Sequence, residues 1–292
     1  MKVVMLSRTA LASAPYETMK CLNKYTDLEV RWIALKTSYN DGRVFPSDII
    51  YNRNKKECMD IINSADILHI HNEPFPLLPD QLKKKMLVQF HSVPKRPSCQ
   101  ELMKKTRHYY TIKQPLQEFH YSGMNSLPNL IDCYEYKPIK RNIDKLKVVF
   151  APTNKWKVTM AGSKGYEEVQ KIIFDFKNDI HFDIFSDLAY TENLLRKQDS
   201  DIIIDDIINQ TFHRTSLEGC CFGLVVLTNC NKSGFLCTNL ATLKNNLYHL
   251  IKNRKMVDDL KIKSRQWIEN EWNPKEMCKY YVDAYNKVLN NG

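Results

Sequence analysis

The sequence predicts an α/β protein of two domains, each built on a parallel sheet. Three observations carry this. Short apolar runs alternate with segments of helical period along the whole chain. A length of 292 residues suits two domains better than one. A turn-rich, proline-broken stretch separates two such series: Leu127-Pro128-Asn129-Leu130-Ile131-Asp132, then Lys137-Pro138-Ile139-Lys140-Arg141. The domains expected are therefore residues 1–138 and 139–273, each a doubly wound Rossmann-like unit, with a last helix over 274–292.

In the first series Val3-Val4-Met5-Leu6 predicts a buried strand ending at Ser7, followed by the small-residue loop Ala10 to Ala14. Pro15 suits the first turn of a helix whose buried stripe is Met19, Leu22 and Tyr25. Strands follow at Leu28–Ile33, Asp66–Ile70, Met86–Phe90 and Tyr109–Ile112, with a helix over 55–64. The second series opens at Lys147-Val148-Val149-Phe150. A helix is expected from Lys164 to about Lys177, with Tyr166, Val169, Ile172, Ile173 and Phe176 on one face. Strands come at Phe182–Phe185, Asp201–Ile204 and Leu224–Leu227, with a helix over 211–222. The chain closes on helices at Leu240–Ile251, Lys255–Trp272 and Pro274–Leu289.

Composition excludes several classes. Hydrophobic residues at 43% and charged residues at 26% are ordinary for a core-forming chain. Mean hydropathy is −0.45 and no apolar run approaches the ~20 residues that span a bilayer. The N-terminal apolar run is too short for a signal peptide, so a cytoplasmic protein is expected. Nine scattered cysteines without a C-x-x-C pair fit buried thiols, not a disulfide framework or structural zinc. Net charge is +10. Residues 1–140 hold 21 Lys/Arg against 14 Asp/Glu (+7), and the remainder 22 against 19 (+3). The excess gathers at Lys83-Lys84-Lys85, Lys95-Arg96 and Lys104-Lys105 with Arg107. It reads either as a solvated face or as a surface for an anionic partner: an acidic acceptor, a phospholipid leaflet or nucleic acid.

In parallel sheets ligands bind beyond the carboxyl ends of the strands, so the polar residues there are the candidates. No G-x-G-x-x-G follows a strand, no G-x-x-x-x-G-K-[ST] exists, and no G-x-S-x-G elbow is present. What remains is Asp205-Asp206 at a strand end, then Gln210-Thr211-Phe212-His213-Arg214-Thr215-Ser216-Leu217-Glu218-Gly219 opening a helix. A helix start offers free N–H groups and a positive dipole end, which suits phosphate. His213 and Arg214 add donors there, and Glu218 could accept from a ribose diol or be a solvated helix residue. Asp205 and Asp206 either position His213 or Arg214 or cap the strand. His69 and His71 share one strand face; a metal would need a third ligand, which no spacing supplies, leaving acceptor contact or structure.

The stretch Ser216-Leu217-Glu218-Gly219-Cys220-Cys221-Phe222-Gly223-Leu224-Val225-Val226 resembles the L-E-A-M-A-x-G-x-P-V segment of GT-B glycosyltransferases, the retaining family 4-like group that uses nucleotide-sugar donors. Phe150-Ala151-Pro152-Thr153-Asn154-Lys155 with Ser163-Lys164-Gly165-Tyr166 is similar to that group's A-P-S-x-R…K-G segment. Leu127 to Asp132 resembles its I-P-N-G-V-D linker, and Arg265-Gln266-Trp267-Ile268-Glu269 with Trp272-Asn273-Pro274 its closing helices. The resemblance implies two Rossmann-like domains facing a central cleft. Residues 1–138 would take the acceptor, 139–273 the donor nucleotide, and the helix over 274–292 would pack back on the first domain.

It further implies sugar transfer to a hydroxyl acceptor, with retention and without metal or other cofactor, from a UDP- or GDP-sugar. Glu218 falls on the second Glu of the group's E-x7-E motif, the ribose holder. The first falls on Gln210, a departure that removes a charge. Lys155 and Lys164 match the pair that binds the donor diphosphate, with Lys157 a competitor for Lys155. His91 matches a histidine near the sugar, and Ser13 lies in the loop facing the diphosphate. His213, Arg214, Thr215 and Ser216 join the donor side. His69, His71, Lys95 and Arg96 fall on the acceptor side. The acceptor expected is a saccharide, anionic or lipid-linked, reached at the inner membrane face. A DNA-modifying glycosyltransferase and an inactive scaffold that only binds are the alternatives.

Overall fold

The computed structural model describes all residues except 40–42, 74, 76–83, 93–96, 122, 140–143, 153–163 and 291–292. The chain divides into two compact units, Met1–Ile131 with Pro274–Gly292, and Asp132–Asn273. The division falls upstream of Pro138 because the intervening residues are bound into the second unit. Arg265 Nη1 donates to the Tyr136 carbonyl at 2.9 Å and Gln198 Nε2 to the Lys137 carbonyl at 2.9 Å. Tyr136 also meets Phe222 edge-on.

Unit 1 begins with β1 (Lys2–Ser7), α1 (Ala14–Tyr25), β2 (Glu29–Ala34) and β3 (Ile49–Ile50). It continues with α2 (Lys55–Ser64), β4 (Ile67–His71), β5 (Lys85–Phe90) and α3 (Pro97–Lys105). β6 (Tyr109–Ile112), α4 (Pro115–His120) and β7 (Asn125–Leu127) follow. The strands form one sheet in the order β3-β2-β1-β4-β5-β6-β7, every pairing parallel. β4 is buried at all five positions, as a central parallel strand covered on both faces must be.

Unit 2 holds β8 (Leu146–Phe150), α5 (Tyr166–Phe174), β9 (Ile180–Ile184), α6 (Tyr190–Gln198) and β10 (Ile202–Ile204). α7 (Arg214–Cys221), β11 (Val225–Thr228), β12 (Leu236–Cys237), α8 (Leu240–Lys252) and α9 (Arg254–Asn270) complete it. Its sheet runs β12-β11-β10-β8-β9, again all parallel. Val148, Phe150, Ile202, Ile204, Val225 and Leu227 from the strands pack with Val169, Ile173, Leu243, Leu247 and Leu250 from the helices. The last helix, α10 (Pro274–Asn290), belongs to unit 1 and packs on α1, β4 and β5.

Two expected helices start later than their patterns suggest. Lys164 (φ 56°) and Gly165 (φ 80°) lie in the left-handed region, so α5 opens only at Tyr166. His213 is extended (φ −118°, ψ −178°), so α7 opens at Arg214 and not at Thr211. α6 has no apolar stripe to find: its one buried residue is Lys197. The short edge strands β3, β7 and β12 and the helices α3 and α4 likewise lie outside the elements read from periodicity. Among the described residues no helix is long and apolar enough to cross a membrane.

Candidate functional site

In each sheet the chain runs outward one way and then reverses, and in parallel sheets ligands bind beyond the strand ends at such a reversal. In unit 2 the reversal lies between β8 and β10. The loop after β8 delivers Lys164 and the end of β10 delivers Asp205. Both are buried, and the Lys164 ammonium is paired with the Asp205 carboxylate. The other Asp205 oxygen accepts from Ser216 Oγ and from the His213 backbone N–H, each at 2.7 Å. Asp205 therefore ties the strand end, the post-β8 turn and the start of α7 into one body. Burial alone would raise its pKa, but Lys164, His213 and the Ser216 hydroxyl outweigh burial and hold it ionised, below the ordinary carboxylate range.

Asp206 holds the adjoining loop. Its carboxylate accepts from His213 Nε2 at 3.1 Å, from Asn209 Nδ2 at 2.8 Å, and from the backbone N–H groups of Ile208 and Asn209. Gln210 is exposed and Thr215 half-buried. The first turn of α7 carries no acidic side chain, and its N-cap makes no side-chain capping bond. The positive end of the helix therefore meets no carboxylate of its own first turn.

One turn further in, Glu218 lies buried between two cations. Lys197 Nζ donates to Oε2 at 2.6 Å and Arg214 Nε to Oε1 at 3.1 Å. Lys197 is itself 4% exposed. Sequence reasoning missed it, since nothing in its polar helix marks the position and its partner lies 21 residues away. Each Glu218 oxygen retains a further lone-pair direction, so the carboxylate can still accept a hydroxyl.

In unit 1 the reversal lies between β1 and β4. A cavity of about 530 Å³ opens there, lined by Arg8, Thr9, Leu11, Leu35, Lys36, Asn52, His71, Asn72 and Glu73. Two of its lining residues are strained, Leu11 at φ 46° and Asn72 at 62°, and Ala12 and Ser13 after Leu11 have φ of 53° and 62°. Left-handed non-glycine residues cost of order 1–3 kcal/mol each and gather at functional sites. Ser13 is fully buried at the start of α1, and its hydroxyl meets no partner among the described residues. Arg8 pairs with Glu73 at 3.1 Å.

The structure brings His69, His71 and His91 together. His69 and His71 stack with ring centroids 4.2 Å apart, and His71 Nδ1 lies 2.8 Å from His91 Nε2. His69 Nδ1 lies 2.8 Å from the Tyr285 hydroxyl of α10. Burial, then the field of His91, pushes the His69 pKa down to about 3, with Gln89 partly opposing. Burial and the two neighbouring imidazoles lower His71 as well. Among the described residues no three of His, Cys, Asp or Glu converge as a metal site.

Lys155, Lys157, Lys95 and Arg96 lie outside the described residues, as does Lys83. The rest of the basic triplet is engaged locally. Lys84 Nζ donates to the carbonyls of Asn63 and Ala65, each at 2.7 Å, closing the end of α2, and Lys85 donates to the Leu289 carbonyl.

No protein-family model matches the chain, and no curated protein matches it. Solved structures do. Sucrose-phosphate synthase from Thermosynechococcus elongatus aligns over 100% of both chains with a TM-score of 0.62 and 9% identity. MnaA of S. aureus, in a co-structure with UDP, aligns over 99% of this chain and 97% of its own, with a TM-score of 0.52 and 11% identity. UDP-GlcNAc 2-epimerase from Neisseria meningitidis, bound to UDP-GlcNAc, covers 98% and 100%, with a TM-score of 0.50 and 13% identity. At such identities the likeness is one of architecture: the chain has the GT-B fold.

Proposed function

We propose that the chain is a nucleotide-sugar-dependent glycosyltransferase, with the donor nucleotide in unit 2 and the acceptor in unit 1. The observation that carries this is the assembly at the β8/β10 reversal. There Asp205 locks Lys164, Ser216 and the first turn of α7 into one buried network, one turn from the doubly paired Glu218. Two of the fold neighbours were solved with UDP or UDP-GlcNAc, which agrees with a nucleotide-sugar ligand.

In this reading the α7 N–H groups and Lys164 stabilise the diphosphate as its bond to the sugar breaks. They are held in place beforehand, so no reorganisation is spent during the reaction. The acceptor hydroxyl forms the new bond to the same sugar carbon on the face from which the diphosphate departs and passes its proton to the departing phosphate oxygen, so the configuration is retained and no metal is required. Glu218 accepts from the ribose. With Arg8 paired to Glu73, Lys36 leaves the unit 1 cavity one positive charge in excess, which supports a saccharide acceptor bearing an anionic group. A catalytically silent scaffold is the second reading, favoured by the exposed, uncharged Gln210 where the resembled group has a carboxylate.

Release of nucleoside diphosphate from UDP-glucose, UDP-N-acetylglucosamine and GDP-mannose tests the proposal. Turnover of one of them, reduced roughly 10²–10³-fold by Lys164→Met, is expected. A protein that neither binds nor consumes any of the three would be the scaffold.

A further inference from the structure

The three histidines of unit 1 form a chain in which only one arrangement of protons leaves no donor stranded. His71 is 1% exposed, and burial beside two other imidazoles keeps it neutral, so it carries one proton. Its Nε2 is buried and has no hydrogen-bond partner among the described residues. Its Nδ1 lies 2.8 Å from His91 Nε2, so one of those two nitrogens donates to the other. If His91 donated, the His71 proton would have to sit on Nε2, a buried N–H without an acceptor. If His71 donates, its Nε2 is a bare lone pair. Buried N–H groups left unmade are rarer and costlier than under-used acceptors. The second arrangement wins.

We infer that His71 is a positioning residue for His91: it donates its Nδ1 proton to His91 Nε2 and thereby keeps the His91 proton on Nδ1. With that tautomer His91 can serve an oxygen at Nδ1 only as a hydrogen-bond donor and not as a base. To act as a base at Nδ1 it would have to carry its proton on Nε2, which strands the proton on His71 Nε2. Two contacts from the end of β4 hold His91 for this. Asn72 Oδ1 accepts from the His91 backbone N–H at 2.6 Å, and His71 fixes the ring. His69 stands one step back, with its Nδ1 2.8 Å from the Tyr285 hydroxyl. Stacking on His69 then fixes the His71 ring plane. His71, which also lines the unit 1 cavity, is in this inference a support behind His91. Only the identity of the oxygen that His91 meets, a donor-sugar or phosphate oxygen, rests on the glycosyltransferase reading.

The test is a two-bond 1H–15N correlation spectrum of the full chain labelled at histidine nitrogen. His91 is expected with Nδ1 protonated and Nε2 bare. His71→Phe, which fills the space without donating, should abolish that pattern. His71→Gln, whose amide can donate, should keep it. A wild-type spectrum with His91 protonated on Nε2 overturns the inference, as does a His71→Phe spectrum with an unchanged His91 tautomer. With whichever of UDP-glucose, UDP-N-acetylglucosamine and GDP-mannose the wild type turns over as probe, His71→Phe should lower kcat about tenfold with KM within about twofold, and His71→Gln should recover most of it. Unchanged kcat in His71→Phe, once the tautomer is lost, overturns the role in turnover. Absence of wild-type turnover of UDP-glucose, UDP-N-acetylglucosamine and GDP-mannose alike overturns the transferase reading, and the spectrum still decides the tautomer.

Discussion

Lys197 and Glu218 show what a buried pair costs when one side is removed. Lys197→Met leaves the largely buried Glu218 with Arg214 alone. Breaking such a pair costs about 3–5 kcal/mol. Urea denaturation should show a loss of that order, with part of it recovered in the double variant Lys197→Met, Glu218→Gln.

The histidines give a pH dependence of definite sign. The folded His69 pKa, about 3, lies below its unfolded value near 6.5, so the fold favours the neutral ring. That stabilisation is complete above pH 6.5 and is lost as pH falls toward the folded pKa, at about 1.4 kcal/mol per pH unit for each such group. His71 contributes in the same direction. Unfolding free energy measured at pH 7.0, 6.0 and 5.5 should fall in the wild type and fall less steeply in His69→Gln. At this scale Glu218, Lys164 and His91 were legible through motifs. Lys197 and the His71–His91 bond were not, since both depend on contacts between separate elements.

Among the elements, α7 is closely seated on the sheet. A Cβ on Gly219 would lie 2.5 Å from Ile203 Cγ2 and 3.0 Å from Val226 Cγ2, with strands β10 and β11 behind them. Gly219→Ala should cost about 1–3 kcal/mol by overpacking, read as a lower thermal midpoint, and should disturb the Asp205 and Glu218 contacts that α7 carries. The turn before α1 predicts the opposite sign. Ala12 sits at φ 53°, where glycine is unstrained, so Ala12→Gly should gain about 1 kcal/mol in the same measurement. Strands and helices with an apolar period were readable from the sequence, and α2 and β6 begin and end where their patterns do. α6 was not, because it buries a lysine where a helix ordinarily buries a stripe. The two-residue strands β3 and β12 are too short to show any period.

Across the whole molecule the alternation of strands and helices carried the architecture, and four weak motifs in order carried the resemblance that the fold comparison supports. Net charge was a poorer guide. The +10 excess left open a solvated face or a surface for an anionic partner, and Lys84 and Lys85 serve carbonyl groups at the ends of α2 and α10. The central claim is that unit 2 holds a nucleoside diphosphate through α7, Lys164 and Glu218. Thermal unfolding of the full chain with UDP, GDP, ADP and CDP, and with their sugar conjugates, tests it most directly. A ligand at 100 times its Kd adds about 2.7 kcal/mol of apparent stability. The account predicts a raised midpoint for one nucleotide series, lost in Glu218→Gln although that variant still unfolds cooperatively. Midpoints unmoved by every nucleotide, or a shift that Glu218→Gln retains in full, would contradict it.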